Sequence, residues 1–404
     1  MDCGLLGRKL SHSYSPQIHS FLGDYSYKLL EVEPNKLQAF FEDFNYQGIN
    51  VTIPYKKDVI PYCHQLSEVA RKMGAVNTIV RRSDGTLIGH NTDYFGFLSM
   101  IKKTGLSPAG KKVLILGSGG ASNTAKAVMD ELGANTVVIS RKGQNNYTNL
   151  HLHRDASVIV NATPVGMYPM NGESPVDLDQ FPKLEGVLDM IYNPCRTKLI
   201  MEAQKRNLIA ENGLWMLVAQ AWESAQWFTG EEISYETIEA VHKHLSVQMQ
   251  NIVLVGMPGC GKSTVGSLLA HATGRAFVDA DLLIEKKAGC SIPEIFKNCG
   301  ENAFRTLETQ VLDLIGKESG LVIATGGGCV TRSENYPLLH QNGIIVWLQR
   351  DLDLLPSEGR PLSQTTNMQE MYRNRKPLYH RFADVTVNNA NAPEQTVELI
   401  RRLL

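Results

Sequence analysis

The sequence predicts an α/β fold with more than one core, and three observations carry that prediction. Its 404 residues suffice for two or three domains at about 150 residues each. Two β-branched runs are each followed at once by glycines and then by a helical pattern: KKVLILGSGGASNTAKAVMDEL from Lys111, and NIVLVGMPGCGKSTVGSLLAHA from Asn251. Each reads as strand, glycine loop, helix. A doubly wound sheet has one such entry strand, so two of them about 140 residues apart predict two separate nucleotide-binding units.

The remaining elements fall into place around these loops. In residues 1–98, the stretches YKLLEVEP, GINVTIPYKKD and GAVNTIVRR read as strands or strand ends, and 37–44 and 66–72 as helices. This predicts an α/β domain over 1–98, ahead of a dinucleotide-binding domain over 99–213. After Asn212 the run GLWMLVAQAWESAQWF has helical spacing and mostly apolar character, and 214–246 is expected to return to the first domain. A third domain spans 249–404, joined near 246–250 without a Gly/Ser- or Pro-rich spacer.

Composition narrows the class. Apolar residues at 43% and charged residues at 20% are ordinary globular usage. Forty basic against forty-one acidic side chains provide no basic field for nucleic acid or an anionic membrane, so small-molecule partners are expected. The seven cysteines are scattered and form no CxxC pair, which fits a reducing, cytoplasmic setting and neither a disulfide framework nor a zinc knuckle. No secretory signal is read at the amino terminus, and the most apolar stretch, 214–228, is broken by Gln220, Glu223, Ser224 and Gln226, so a membrane span is not expected. The oligomeric state is left open.

The first glycine loop fits a Rossmann turn, in which glycines let the chain turn sharply and let backbone approach a pyrophosphate at a helix N-terminus. Gly117, Gly119 and Gly120 provide those positions, with Ser122 at the third site of the fingerprint. The next strand, VVISRK, ends in Ser140, Arg141 and Lys142. An acidic residue there would hold the ribose 2′-hydroxyl of NAD, whereas a basic one accommodates a 2′-phosphate, so NADP is favoured.

Gly256 to Ser263, GMPGCGKS, fits G-x-x-x-x-G-K-[ST] in full. The backbone amides would cradle phosphates, Lys262 would reach the β and γ groups, and Ser263 would ligate magnesium. Downstream, FVDADLLIE sets Asp279 and Asp281 two apart at an expected strand end, one for the metal through water and one for a substrate hydroxyl. Two acidic residues stabilising a helix N-terminus is the other reading of the pair. ATGGGCV again follows an apolar strand, and Arg305, Arg360 and Arg375 suit a carboxylate or a developing phosphoryl charge.

These residues resemble two families. Residues 1 to about 246 are similar to shikimate dehydrogenase, with LSHSYSP, NVTIPYKK, GAVNT, HNTDYFG, GSGGAS, NATPVGM, DMIYNP and GLWMLVAQA in that family's order. Residues from about 250 to 404 resemble shikimate kinase through GMPGCGKST, DAD, GENAFRTLE, TGGG, GRPL and RKPLY. The first resemblance implies reversible reduction of 3-dehydroshikimate to shikimate by NADPH, with Lys56 and Asp93 as the catalytic pair. It also implies substrate contacts from Ser13, Ser15, Thr52, Asn77, Asp93, Tyr192 and Gln220, with Asn50 adjacent in motif. Cofactor contacts carry over to Gly117, Ser118, Gly119, Gly120, Ala121, Ser140, Arg141, Lys142, Met190 and Gly213.

The second resemblance implies a P-loop fold of the nucleoside-monophosphate-kinase kind with a parallel sheet, and transfer of the ATP γ-phosphoryl to the shikimate 3-hydroxyl. ATP contacts carry over to Gly259, Cys260, Gly261, Lys262, Ser263, Thr264 and the lid residue Arg360; magnesium contacts to Ser263 and Asp279; shikimate contacts to Asp281, Arg305, Gly327 and Arg375. Catalytic roles fall to Lys262, Asp281 and Arg360.

The chain departs from both patterns. The family's Asn-Arg-Thr at the 2′-phosphate is here Ser140, Arg141, Lys142, and the second glycine of GLGML is Trp215, which core packing explains better than ligand contact. The segment LQRDLDLLPSEGRPL is shorter than the kinase family's, and the arginine that lies against adenine there is not identified. A raised Michaelis constant for ATP is expected. Two alternatives stay open: a carboxyl-terminal half that only binds nucleotide or dimerises, and a dehydrogenase that also accepts quinate.

Overall fold

The computed structural model describes residues 1–10, 13–355 and 368–404. The chain forms two compact units, one of residues 1–165, 174–192 and 202–245, the other of 166–173, 193–201 and 246–404.

The first unit opens with β1 (Asp2–Gly7), α1 (Ser15–His19), β2 (Ser26–Glu31), α2 (Leu37–Glu42), β3 (Gly48–Val51), β4 (Gln65–Leu66), α3 (Glu68–Met73), β5 (Thr78–Arg81), β6 (Leu87–His90) and α4 (Asp93–Thr104). The strands form a mixed sheet in the order β2-β1-β3-β5-β6-β4, with β5 antiparallel to both neighbours. Leu6, Ile49, Val51 and Ile79 bury one core with Phe41, Phe44 and Tyr55. Strand β3 stops at Val51, short of the run GINVTIPYKKD read as a strand or strand end. Pro54 has no N–H for a ladder, so the chain leaves the sheet there and Ile53 is exposed.

The second sheet of this unit contains β7 (Lys112–Leu116), β8 (Asn135–Ile139), β9 (Val158–Asn161), β10 (Gly186–Asp189) and β11 (Ile209–Glu211), with α5 (Gly120–Glu131) following β7 and α6 (Lys198–Lys205) preceding β11. Its order is β11-β10-β9-β7-β8, every pair parallel. Val113, Leu114, Ile115 and Leu116 are all fully buried, the unbroken apolar run of a strand covered on both faces. Helix α7 (Leu214–Thr229) lies against α4 and α1. Gly96 permits the contact with α4, since a Cβ there would sit 2.7 Å from the Met216 carbonyl oxygen. Trp215 is buried in the same seam and donates its indole N–H to Ser99 Oγ at 2.9 Å, so it is a core residue. Helix α8 (Glu236–Met249) follows.

The second unit contains β12 (Asn251–Val255), α9 (Lys262–Thr273), β13 (Ala276–Asp279), α10 (Ala280–Ala288), α11 (Ile292–Lys317), β14 (Leu321–Ala324), α12 (Asn335–His340), β15 (Gly343–Gln349), α13 (Met368–Phe382), β16 (Val385–Asn388) and α14 (Pro393–Leu403). The predicted parallel sheet is present, in the order β13-β14-β12-β15-β16. Alternate residues face two cores: Val253, Ile323, Ile345 and Trp347 on one face, Ile252, Leu254, Val322 and Val346 on the other. Helix α11 starts with a Ser291/Glu294 capping box and kinks at Gly300, whose φ of 79° suits glycine. No described helix is long and apolar enough to cross a membrane.

Helices α11 and α12 meet at Gly316, where an added Cβ would lie 2.0 Å from the Leu338 carbonyl oxygen. Because that oxygen is backbone, Gly316→Ala is expected to destabilise the second unit by about 1–3 kcal/mol. A denaturant midpoint that does not fall would contradict this packing.

Candidate active sites

In the first unit, the loop after β3 and the start of α4 bring together residues far apart in sequence. Lys56 Nζ lies 2.5 Å from Asp93 Oδ2, with the lysine side chain 28% and the aspartate 17% exposed. Asp93 is the first residue of α4, where the helix dipole favours a carboxylate. Its other oxygen accepts from Asn77 Nδ2 at 2.9 Å. Asn77 is buried and held in turn: its Oδ1 accepts from the Thr92 backbone N–H at 2.7 Å and from Thr78 Oγ1 at 3.0 Å. The pair is thus a solvent-reachable ammonium standing on a carboxylate that the sheet fixes in place.

Around it, Thr92 Oγ1 lies 3.4 Å from Gln220 Oε1, which places α7 beside the pair. Ser15 is buried at the start of α1, and its N–H donates to Ser13 Oγ at 3.2 Å. Tyr192 packs edge-on against Tyr14, with ring centroids 6.2 Å apart. Thr52 follows β3, its N–H bonded to the Leu6 carbonyl at 2.9 Å. Asn50 faces inward, donating to Thr78 Oγ1 at 3.1 Å and accepting from Tyr27 Oη at 2.7 Å. Tyr27 gave no signal in the sequence, because its strand was legible but its cross-strand partner was not.

The dinucleotide turn follows β7. Gly117 has φ of 106°, and a Cβ there would lie 2.9 Å from the Ala162 carbonyl oxygen. Gly119 caps α5 and Gly120 opens it, with open space beside both. Ser122 is buried and donates to the Gly117 carbonyl at 2.7 Å, tying the first turn of α5 to the loop. Ser118 and Ala121 share this loop, and Ser140, at the end of β8, is followed by exposed Arg141 and Lys142. Gly213 approaches Met190 so closely that a Cβ would sit 2.2 Å from its carbonyl oxygen. These residues follow the carboxyl ends of parallel strands, where a pyrophosphate is bound in such sheets.

In the second unit a cavity of about 610 Å³ opens over the carboxyl ends of β12, β13 and β14. Gly259, Gly261, Lys262, Ser263 and Thr264 line it; Cys260, in the same loop, is buried. Lys262 Nζ donates to the Gly256 and Met257 carbonyls at 3.0 and 3.1 Å. Ser263 Oγ donates to Asp279 Oδ2 at 2.7 Å. A hydroxyl and a carboxylate oxygen side by side are the hard donors that magnesium takes, so the pair fits that ion.

Asp281 lies in the first turn of α10 and not at the strand end read from its spacing. Asp279 ends β13 and caps α10, its Oδ1 accepting from the Asp281 N–H at 3.0 Å. Asp281 is thereby turned into the cavity, and its Oδ1 is buried without a hydrogen-bond partner. Burial pushes its carboxyl above the usual carboxylate range, against the opposing pull of Lys262.

The GGG run makes this crowding possible. A Cβ on Gly326 would lie 2.7 Å from Glu308 Oε1 and 2.8 Å from Asp281 Oδ1, and one on Gly328 would lie 2.0 Å from Arg305 Nη2. Arg305 Nη1 donates to Glu308 Oε2 at 2.7 Å, one turn along α11. Glu308 is fully buried, and its Oε1 also lacks a partner. It was missed in the sequence, although its i+3 spacing from Arg305 on a helix was the available signal. Arg375 on α13 donates to the Gly327 carbonyl at 3.2 Å. Arg360 and the part of the shortened segment from residue 356 onward lie outside the described residues.

A carboxyl whose folded pKa exceeds its unfolded value, about 4, adds its full stability below that value and loses it as pH rises through the folded pKa. At neutral pH, ionised Asp281 therefore opposes folding. Asp281→Asn is expected to raise the melting temperature of the ligand-free protein at about pH 7 and to leave it nearly unchanged at about pH 4. Thermal scans at both values check the sign.

Comparison with known proteins now bears on these sites. A family model described as the shikimate dehydrogenase substrate binding domain matches residues 5–79, and one described as shikimate kinase matches residues 258–404. The NADP(+) shikimate dehydrogenase of Methanopyrus kandleri is 37% identical over 276 residues, covering 60% of this chain and 95% of that protein. That of Methanosphaera stadtmanae is 32% identical over 274 residues, covering 60% and 96%. A chorismate mutase/shikimate 5-dehydrogenase fusion from Clostridium acetobutylicum superposes with a TM-score of 0.58 at 34% identity, covering 61% of this chain and 97% of that one. A Thermus thermophilus shikimate 5-dehydrogenase in complex with NADP(H) and shikimate superposes with a TM-score of 0.56 at 28% identity, covering 60% and 99%. The chain therefore belongs to the shikimate dehydrogenase family and carries, C-terminal to that part, a shikimate kinase domain.

Proposed function

We propose that this chain catalyses two successive reactions: reduction of 3-dehydroshikimate to shikimate with NADPH, then phosphorylation of shikimate to shikimate 3-phosphate with ATP and magnesium. The observation that carries the reading is the unpartnered Asp281 oxygen beside the phosphate loop, in a cavity that Arg305 and Arg375 also line. A module that only bound nucleotide would have no use for a buried, destabilising carboxylate aimed at an acceptor. The relatives' NADP(+) designation and the Arg141-Lys142 pair support the cofactor.

In the first reaction, NADPH supplies a hydride to the ring ketone when bound. Lys56 gives a proton to the developing alkoxide, and Asp93, oriented by Asn77, holds the ammonium at the reacting oxygen. Ser13 and Ser15 offer hydroxyls to the substrate carboxylate, with Thr52, Tyr192 and Gln220 as neutral hydrogen-bonding groups for the ring.

In the second, Asp281 accepts the proton of the attacking hydroxyl, for which its raised pKa suits it. Arg305 and Arg375 hold the acceptor's carboxylate, and the loop amides with Lys262 neutralise the transferred phosphoryl. Ser263 and Asp279 hold the magnesium, whose part is to offset charge on the phosphate oxygens. No disulfide joins any of the seven cysteines in the described residues, as a reducing setting would require.

The test supplies intact protein with 3-dehydroshikimate, NADPH, magnesium and ATP, and identifies products by mass spectrometry. Wild type should yield shikimate 3-phosphate. Lys262→Met should stop at shikimate while NADPH oxidation continues, and Lys56→Met should lose NADPH oxidation by about a hundredfold or more yet still phosphorylate added shikimate. Shikimate accumulation by the wild type would overturn the kinase reading.

A further inference from the structure

Arg350 has no assigned part in either reaction, yet it lines the same cavity as Lys262 and Asp281. Sheet order says which side of that cavity it serves. Strand β12 leads into the phosphate loop; β13 and β14 lie on one side of it, β15 and β16 on the other. The acceptor residues Asp281 and Gly327 follow β13 and β14. In-line transfer places the attacking and leaving oxygens on opposite sides of the moving phosphoryl, so the rest of the nucleotide must extend toward β15 and β16.

Arg350 follows β15 at that place. Gln349 and Asn388 are register partners, so Arg350 and Asn389 leave the sheet together. Asn389 is buried and donates to the Cys260 carbonyl at 2.6 Å, which fixes the loop against this edge. A Cβ on Gly261 would lie 3.9 Å from Arg350 Nη1. The other cations of the cavity are engaged: Lys262 with loop carbonyls, Arg305 with Glu308 and Glu301, Arg375 with Gly327. Among the described residues Arg350 makes no hydrogen bond or ion pair from its side chain, and its Nε is buried without an acceptor.

We propose that Arg350 binds the α- and β-phosphates of the nucleotide, gripping from the edge of the loop opposite the acceptor. The inference rests on the kinase reading above and adds a ligand to it. A guanidinium fork suits phosphate oxygens, and its charge is present in both ATP- and ADP-bound states, so it acts on nucleotide affinity more than on turnover.

Titration calorimetry on the full chain, with Mg·ADP, inorganic tripolyphosphate and shikimate as separate probes, tests this. Arg350→Met should weaken both ADP and tripolyphosphate by about ten- to a hundredfold and leave shikimate affinity and melting temperature unchanged. Arg350→Lys, which keeps the charge, should retain most of the affinity. The proposal is overturned by Arg350→Met binding ADP like wild type, by loss confined to ADP with tripolyphosphate unaffected, by Arg350→Lys falling as far as Arg350→Met, or by equal loss of shikimate binding. Wild-type protein that binds neither ADP nor shikimate would overturn the kinase reading instead.

Discussion

Parallel strand pairing is the constraint on which both nucleotide loops depend. When every strand of a sheet points the same way, each crossover returns the chain to the same edge, and all loops at the carboxyl ends collect there. In the second unit this gathers the phosphate loop after β12, Asp279 at the end of β13, Gly326 to Gly328 after β14 and Arg350 after β15. In the first it gathers Gly117, Ser140 and Met190 after β7, β8 and β10. Residues from distant parts of the sequence become neighbours because of strand direction, before any side chain contact is made.

Two groups that the helices set against the second unit's loops are unfavourable to fold. Asp281 and Glu308 each bury a carboxylate oxygen with no partner, and burial raises the pKa of both. Such groups oppose stability unless they are paired, and Arg305 compensates only one oxygen of Glu308. The apolar faces of the sheet, with Trp347 and Tyr379 stacked beneath it, carry the cost. The glycine run is the steric complement, because a side chain on Gly326 would displace Asp281 or Glu308, and one on Gly328 would displace Arg305.

The two sites use charge differently. Lys56 and Asp93 are paired and partly solvated, so the lysine is held in place by its carboxylate and still open to a substrate. Asp281 is left without that pairing, so its carboxylate stays basic enough to take a proton. In the proposed reactions one serves as a held acid and the other as a base, the order of proton movement that reduction followed by phosphoryl transfer requires.

Local chemistry was legible in the amino acids themselves. Glycine spacing declared both nucleotide loops, the apolar runs declared their strands, Trp215 read as core, and the order of motifs implied both families, because turn geometry and strand burial act over a few residues. Only the tertiary structure decided the rest. Lys56 meets Asp93 across 37 residues because β3 and α4 converge, which no periodicity records. The spacing of Asp279 and Asp281 suggested one strand end, but a helix cap intervenes and turns Asp281 inward. Glu308 lay within GENAFRTLE and Arg350 within the shortened segment, yet neither had an evident part until the fold set Glu308 against Arg305 and Arg350 at the cavity. Sequence encodes the local conformation each residue can adopt, whereas the pairing of distant groups is set by how sheets and crossovers close, and that is a property of the whole chain.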